Sequence, residues 1–235
     1  MLGQKVRSLA KSIDRRYGIR PWLRGEPRPP KGGFDLGGEK ILDWGWICIH
    51  LPDGKKKALE IGCGESPIIA AMTAKGYDVT AVDFDATIAN QISGITFVRG
   101  DFNQVELLSN FDIIVACSAI EHFGLAGRYG STDDPEADFK AMKKIRRLLS
   151  SDGVAMITIP VGSDVIHRPF HRVYGRRRLP YLLEGFTIQT ARFLVKQPEG
   201  PWHEASMDAA LDYPVDPRRY ALGEFALTAF QSSND

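Results

Sequence analysis

The stretch Ala58-Leu-Glu-Ile-Gly-Cys-Gly-Glu-Ser-Pro67 decides the fold. Its first half is a short apolar run, the pattern of a strand buried on both faces. Gly62-Cys63-Gly64 ends that run, and Ser66 ahead of Pro67 marks a helix start, a capping side chain before proline at the first helical position. A buried strand that turns through glycines into a helix is the opening unit of a parallel sheet, whose ligands bind at the carboxyl ends of the strands. Glycines at that turn allow positive φ and let a ligand lie against bare backbone.

Working outward, the same alternation recurs. Lys57–Ile61, Asp78–Asp83 and the stretches 95–98, 111–118 and 154–160 read as buried strands, with helices over 67–75, 86–92 and 135–149 between them. Asp134 before Pro135 repeats the cap-then-proline signal, and Gly76 and Gly153 read as left-handed helix stops. Strand–helix–strand repetition builds a doubly wound α/β sheet of Rossmann-like type, mostly parallel and covered on both faces. After Leu179 the pattern changes to two long strands, Phe186–Lys196 and 221–231, expected as an antiparallel closing pair at one sheet edge.

Composition narrows the function classes. The chain has 235 residues, 43% hydrophobic and 25% charged, which fits one globular core and excludes a disordered chain, a fibre or a coiled coil. A net charge of +1 argues against a generic polyanion binder, so no nucleic-acid partner is expected. Cys48, Cys63 and Cys117 are too few and too scattered for a disulfide framework or a zinc site, which fits a reducing cytoplasm. No apolar run approaches the ~20 residues that span a bilayer, so no transmembrane segment is expected. Lys5, Arg7 and Lys11 interrupt any signal-peptide core.

Residues 1–38 form a separate unit, a basic amphipathic helix and a Pro/Gly-rich connector, with the main domain over 39–235. In the first unit Leu2, Val6, Leu9, Ile13 and Tyr17 recur at helical spacing. Its solvated basic face either caps the domain or meets an anionic substrate or surface.

Three further positions point to a ligand. Asp83 ends the second strand about twenty residues after the first glycine turn, where a carboxylate can accept both ribose hydroxyls. Asp101 follows the third strand and can accept from an adenine amino group, while the fourth strand ends in Ser118-Ala-Ile-Glu-His122 at the same sheet edge. A dinucleotide fingerprint needs a small residue where this chain has Pro67, and proline also removes an amide that pyrophosphate would use. Glu60 and Glu65 would repel pyrophosphate but hold an ammonium or sulfonium. S-adenosylmethionine has an adenine, a ribose, a cationic sulfur and an amino-acid tail, and it matches this set. The expected cofactor positions are Glu60, Gly62, Gly64, Asp83, Phe84, Asp101, Phe102 and Ser118, with no metal. An NAD(P)-dependent oxidoreductase and a non-catalytic nucleotide-binding interaction module stand as alternatives.

Leu59-Glu-Ile-Gly-Cys-Gly64, Val82-Asp83, Gly100-Asp101 and Ile120-Glu-His122 resemble the successive motifs of class I S-adenosylmethionine-dependent methyltransferases. The resemblance covers roughly 57–231 and implies a seven-stranded sheet with its last strand antiparallel. A nearer likeness lies in residues 121–130, Asp138-Phe-Lys-Ala-Met142, Ile159-Pro-Val-Gly162 and His171-Arg-Val-Tyr-Gly175. These are similar to a methyltransferase-like domain family of unknown function, some of whose members occur in surface-polysaccharide contexts. Ala126 departs from the tighter glycine loop expected of that family.

On the acceptor side, the loops over 123–134 and 161–175 follow strands that end beside the cofactor positions. His122 and His171 are the candidate general bases, since histidine titrates near neutral pH, and Glu121 is a candidate to orient a histidine or act itself. Arg128, Arg168, Arg172 and Arg176-Arg-Arg178 favour an anionic acceptor. The expected reaction is O-methylation of a small or saccharide-like acceptor.

Overall fold

The computed structural model describes residues 38–64, 66–84, 92–108, 110–126, 132–196, 200–216 and 219–230. The basic unit, Glu65 and nearly all of the helix expected over 86–92 lie outside them. The order is α1 (Glu39–His50), β1 (Lys57–Ile61), α2 (Ile68–Ala74), β2 (Asp78–Asp83), β3 (Thr96–Arg99) and β4 (Phe111–Cys117). A 3-10 turn, Ile120–His122, leads to α3 (Ala137–Leu148), β5 (Leu149–Val161), β6 (Val165–His167), β7 (His171–Val173) and α4 (Arg178–Leu182). The chain then adds β8 (Phe186–Lys196), β9 (Trp202–Ala205), α5 (Met207–Leu211) and β10 (Ala221–Ala229).

The main sheet runs β3-β2-β1-β4-β5-β10-β8-β9. Its first five strands are parallel, and β10 inserts antiparallel between β5 and β8. The sequence pattern leads to seven strands, but the main sheet has eight among the described residues. The extra one, β9, is a four-residue segment with His203 and Glu204 exposed, which pairs with the end of β8 and leaves no apolar signature.

Period-two alternation explains the two layers. Leu59, Ile61, Val82, Ile114 and Ile157 face one apolar cluster with Ala141 and Ile145 of α3. Ala58, Val79, Ala81, Ile113 and Val115 face the other, with Trp46 and Ile47 of α1 and Ile68 and Met72 of α2. Among the described residues, no helix is long and apolar enough to cross a membrane.

Neither expected cap forms as such: α2 is capped at Pro67 and α3 at Glu136, each without a side-chain cap bond, while the two expected groups bond amides just ahead of them. The Ser66 hydroxyl accepts from the Ile68 amide at 3.1 Å, and Asp134 accepts from the Glu136 amide at 3.0 Å. Gly76 takes the left-handed conformation at φ 80°. Gly153 does not, because α3 passes straight into β5 and the glycine lies inside that strand. A Cβ there would come 2.7 Å from the Phe111 carbonyl oxygen, so close backbone approach explains the residue.

The β6–β7 hairpin is fastened over the sheet edge by a buried charge. Arg172 is fully buried and donates to the carbonyls of Glu121, Phe123 and Asp134, with its Nε 3.6 Å from Asp138. Asp138 also accepts from Arg178 at 2.8 Å and from the Tyr174 hydroxyl at 3.0 Å. This knot joins α3, the 3-10 turn, β7 and α4. Removing one partner of such a pair leaves an uncompensated charge. Asp138→Ala is therefore expected to cost ~3–5 kcal/mol in urea unfolding. A loss below about 1 kcal/mol, the scale of an exposed pair, would show that the knot is not a buried ion pair in solution.

Candidate functional site

The carboxyl ends of β1, β2 and β4 meet at the glycine turn. Gly62 sits at φ 69° and Gly64 at φ 46°, both in the left-handed region. Gly62 donates to the Val82 carbonyl at 2.8 Å, and a Cβ on it would lie 2.7 Å from the Ala119 methyl carbon. A Cβ on Gly64 would meet nothing within 4 Å. The first glycine lets the turn touch the tip of β4, while the second leaves open space. Asp83 braces the turn, its Oδ2 accepting from the Gly64 amide at 2.8 Å.

The other candidate cofactor residues surround this turn unequally. Phe84 follows Asp83 and is 40% exposed. Asp101 accepts from the Asn103 amide at 2.8 Å, folding the loop after β3 into a turn, and lines a groove with Gln104, Gly124 and Lys140. Phe102 is buried against Phe123 with the Lys144 ammonium 4.9 Å from its ring centre, so it forms a wall rather than an exposed stacking face. Ser118, at φ 45°, donates its hydroxyl to Asp43 at 2.9 Å. Glu60 lies beneath the turn, 1% exposed, with no partner in good hydrogen-bond geometry for either oxygen among the described residues. Burial pushes its carboxyl up to about 8, although Ser66 and the Ile69 amide pull the other way.

On the acceptor side, the hairpin brings the bases to the tip of β4. His122 Nδ1 lies 2.5 Å from the Phe170 carbonyl oxygen, and its Nε2 lies 3.6 Å from Glu121. A carbonyl only accepts, so Nδ1 carries the proton and the neutral ring has its basic nitrogen at Nε2. Glu121 is 2% exposed and burial pushes it up to about 8. His171 faces His167 across the hairpin and Tyr220 on the other side, with ring centres 5.4 and 5.2 Å away. The two histidines, four apart in sequence, thus form a cross-strand pair. No group of three or more His, Cys, Asp or Glu is placed to hold a metal among the described residues.

Most of the described arginines pair with acids of the same chain, some buried and some at the surface. Arg172 is in the buried knot, Arg168 meets Asp133 at 2.6 Å, and Arg176 meets Asp208 at 2.9 Å and Asp212 at 3.0 Å. Arg178 joins Asp138, while Arg177 is 89% exposed on its side chain. Arg128 lies outside the described residues. Sequence reasoning missed the polar N-terminal half of α1, where Glu39 accepts from the Tyr220 hydroxyl at 2.9 Å and Lys40 lies 3.9 Å from Asp43. Only the close spacing of these charges at a helix start hinted at it.

This architecture is the fold of class I S-adenosylmethionine-dependent methyltransferases. The chain is similar to 1,6-didemethyltoxoflavin-N1-methyltransferase of Burkholderia thailandensis, crystallised with its substrate and S-adenosylhomocysteine (18% identity, TM-score 0.59, covering 97% of this chain and 89% of that one). It is also similar to the N-methyltransferase NodS of Bradyrhizobium japonicum in complex with S-adenosylhomocysteine (14%, 0.56, 82% and 88%). A third similar structure is a Bacillus halodurans protein described as a putative methyltransferase (15%, 0.54, 83% and 100%). Residues 68–200 match the family described as "Caenorhabditis protein of unknown function, DUF268", and the chain belongs to that family. No curated protein matches the chain.

The raised Glu60 carboxyl has a consequence for stability. The folded, ligand-free chain keeps this proton up to about pH 8, while the unfolded chain loses it near 4.5. Between those values the folded state binds more protons, so stability falls as pH rises, by at most about 1.4 kcal/mol per pH unit per such group. Glu60→Gln is expected to flatten that fall in urea unfolding between pH 5 and pH 8. Parallel slopes for the variant and the parent chain would contradict it.

Proposed function

We propose that this chain transfers a methyl group from S-adenosylmethionine to a small-molecule acceptor, with hydroxyl oxygen as the methylated atom. The observation that carries the reading is the convergence of Gly64, facing open space, with Asp83 bracing its turn and Asp101 and Ser118 at neighbouring strand ends. In this reading Asp83 accepts from the ribose hydroxyls, Asp101 from the adenine amino group, and Gly62 and Gly64 let the amino-acid tail lie on backbone. Phe84 supplies exposed aromatic surface beside the ribose, while Phe102 and Glu60 act from beneath as wall and floor.

S-adenosylmethionine supplies an electrophilic methyl on a sulfonium centre. The protein's part is to hold the acceptor in line with that methyl, since positioning alone can contribute ~7–11 kcal/mol. His122 Nε2 takes the acceptor proton, with Nδ1 held by the Phe170 carbonyl, and Glu121 beside it steadies the charged ring that results. His171 and Tyr220 form the aromatic wall against which a saccharide-like or other small acceptor rests. The pairing of Arg168, Arg172, Arg176 and Arg178 with acids of the same chain favours an acceptor without a large negative charge.

Isothermal titration with S-adenosylhomocysteine tests the first half, and binding is expected in the micromolar range. Asp83→Ala should weaken it at least tenfold, or ~1.4 kcal/mol, with the far-ultraviolet dichroism unchanged. No binding up to millimolar ligand, or NAD(H) binding in its place, would overturn the cofactor reading. Unchanged affinity in the folded variant would reject the ribose role of Asp83.

A further inference from the structure

The N-terminal half of α1 brings a charge into the site that no sequence motif announces. Asp43 is fully buried. Its Oδ2 accepts from the Ser118 hydroxyl at 2.9 Å and stands 3.9 Å from Lys40 Nζ. Its Oδ1 is buried with no hydrogen-bond partner among the described residues. A buried acceptor without a donor costs ~1–3 kcal/mol, more when charged, and in native proteins such an atom asks for a specific explanation.

Position supplies one. Ser118 precedes Ala119, and Ala119 is the residue that Gly62 abuts, with 2.7 Å from its methyl carbon to a Cβ built on the glycine. Two residues on, Gly64 faces open space. One hydrogen bond therefore joins Asp43 to the strand tip against which the glycine turn rests.

Charge supplies the chemistry of the missing donor. Glu39 on the same helix and Glu121 on the 3-10 turn act on the same small region, and Lys40 is the cation beside them. Glu224 also acts on Asp43 and is itself paired with Arg192, so four carboxyl groups stand against two resident cations, which leaves room for a further one. Desolvation holds the Asp43 carboxyl up to about 7, with Lys40 and Ser118 pulling it down, so a cation arriving at Oδ1 finds a group ready to ionise.

We propose that Asp43 anchors the α-ammonium of the cofactor's amino-acid tail, so that α1 forms one wall of the cofactor site. This inference rests on the S-adenosylmethionine reading above. It divides ligands sharply: those with an amino-acid tail use the anchor, and those with adenosine and sulfur alone do not.

The experiment compares S-adenosylhomocysteine with 5′-methylthioadenosine, which keeps the adenosine and sulfur but lacks the tail, by isothermal titration on the full chain at pH 7.5. Asp43→Asn is expected to weaken S-adenosylhomocysteine at least tenfold and to leave 5′-methylthioadenosine within twofold. Ser118→Ala keeps the carboxylate but releases it, and should weaken S-adenosylhomocysteine by roughly threefold with the same selectivity. It also provides the test if the first variant fails to fold. Unchanged S-adenosylhomocysteine affinity, or equal weakening of both ligands, would overturn the anchor while leaving the cofactor reading intact. Binding of neither ligand by the unaltered chain would overturn both.

Discussion

A methyl group has no room at position 62. Glycine there lets the turn after β1 rest directly on Ala119 at the tip of β4, and every other distance in the site follows from that contact. With the two strand tips pressed together, Gly64 faces open space, and Asp83 on the next strand reaches across to hold its amide. A bulkier residue would push the tips apart by the width of a side chain. The turn, the Asp83 bridge and the Ser118–Asp43 bond would then no longer share one small region. Backbone sterics at one glycine thus set the scale on which the polar groups can cooperate.

The second half of the site depends on a different kind of constraint. The β6–β7 hairpin has little apolar mass of its own, yet it positions the Phe170 carbonyl on His122 and sets His171 against Tyr220. The Arg172–Asp138 knot holds it, tying the hairpin to the 3-10 turn through the Glu121 and Phe123 carbonyls. A buried ion pair is seldom a large net source of stability compared with apolar packing. Its value here is directional, because five donors in a fixed fork accept only one placement of the carbonyls around them.

Those two constraints explain what the sequence made legible. The parallel strands were readable because burial on both faces demands unbroken apolar runs, and the helix starts were readable to within two residues because Ser66 and Asp134 accept from nearby amides through local chemistry alone, although the caps themselves fall at Pro67 and Glu136. β9 was not, since an edge strand of four residues with exposed His203 and Glu204 makes its identity through pairing with β8 rather than through composition. Gly153 misled for a related reason: a glycine required by the approach of the Phe111 carbonyl looks the same in sequence as one required by a left-handed stop. Candidate site residues at strand ends could be found because topology puts strand ends together. Asp43 could not, since it reaches the site from a helix outside the repeating strand–helix units, and its pairing with Ser118 spans 75 positions. The arginines were read as favouring an anionic acceptor, but Arg172 and Arg178 sit in the buried knot and Arg168 and Arg176 pair at the surface, all with acids far off in sequence.

Buried carboxyl groups give the site its electrostatic character. Asp43, Glu60 and Glu121 all have their acidities weakened by desolvation, to about 7, 8 and 8. In the ligand-free chain near neutral pH, Glu60 and Glu121 are mostly protonated and Asp43 is near its midpoint, which limits the cost of keeping three acids away from water. A cation that enters favours the ionised forms, so its binding is coupled to proton release. The same titration then works in opposite directions: raising the pH destabilises the empty fold, and it strengthens the hold on a positively charged ligand. S-adenosylmethionine has a sulfonium as well as its ammonium, whereas S-adenosylhomocysteine has only the ammonium. An acidic site of this kind therefore favours the charged methyl donor over its neutral sulfide product, and loss of the sulfonium charge in the reaction itself weakens the grip on what must leave.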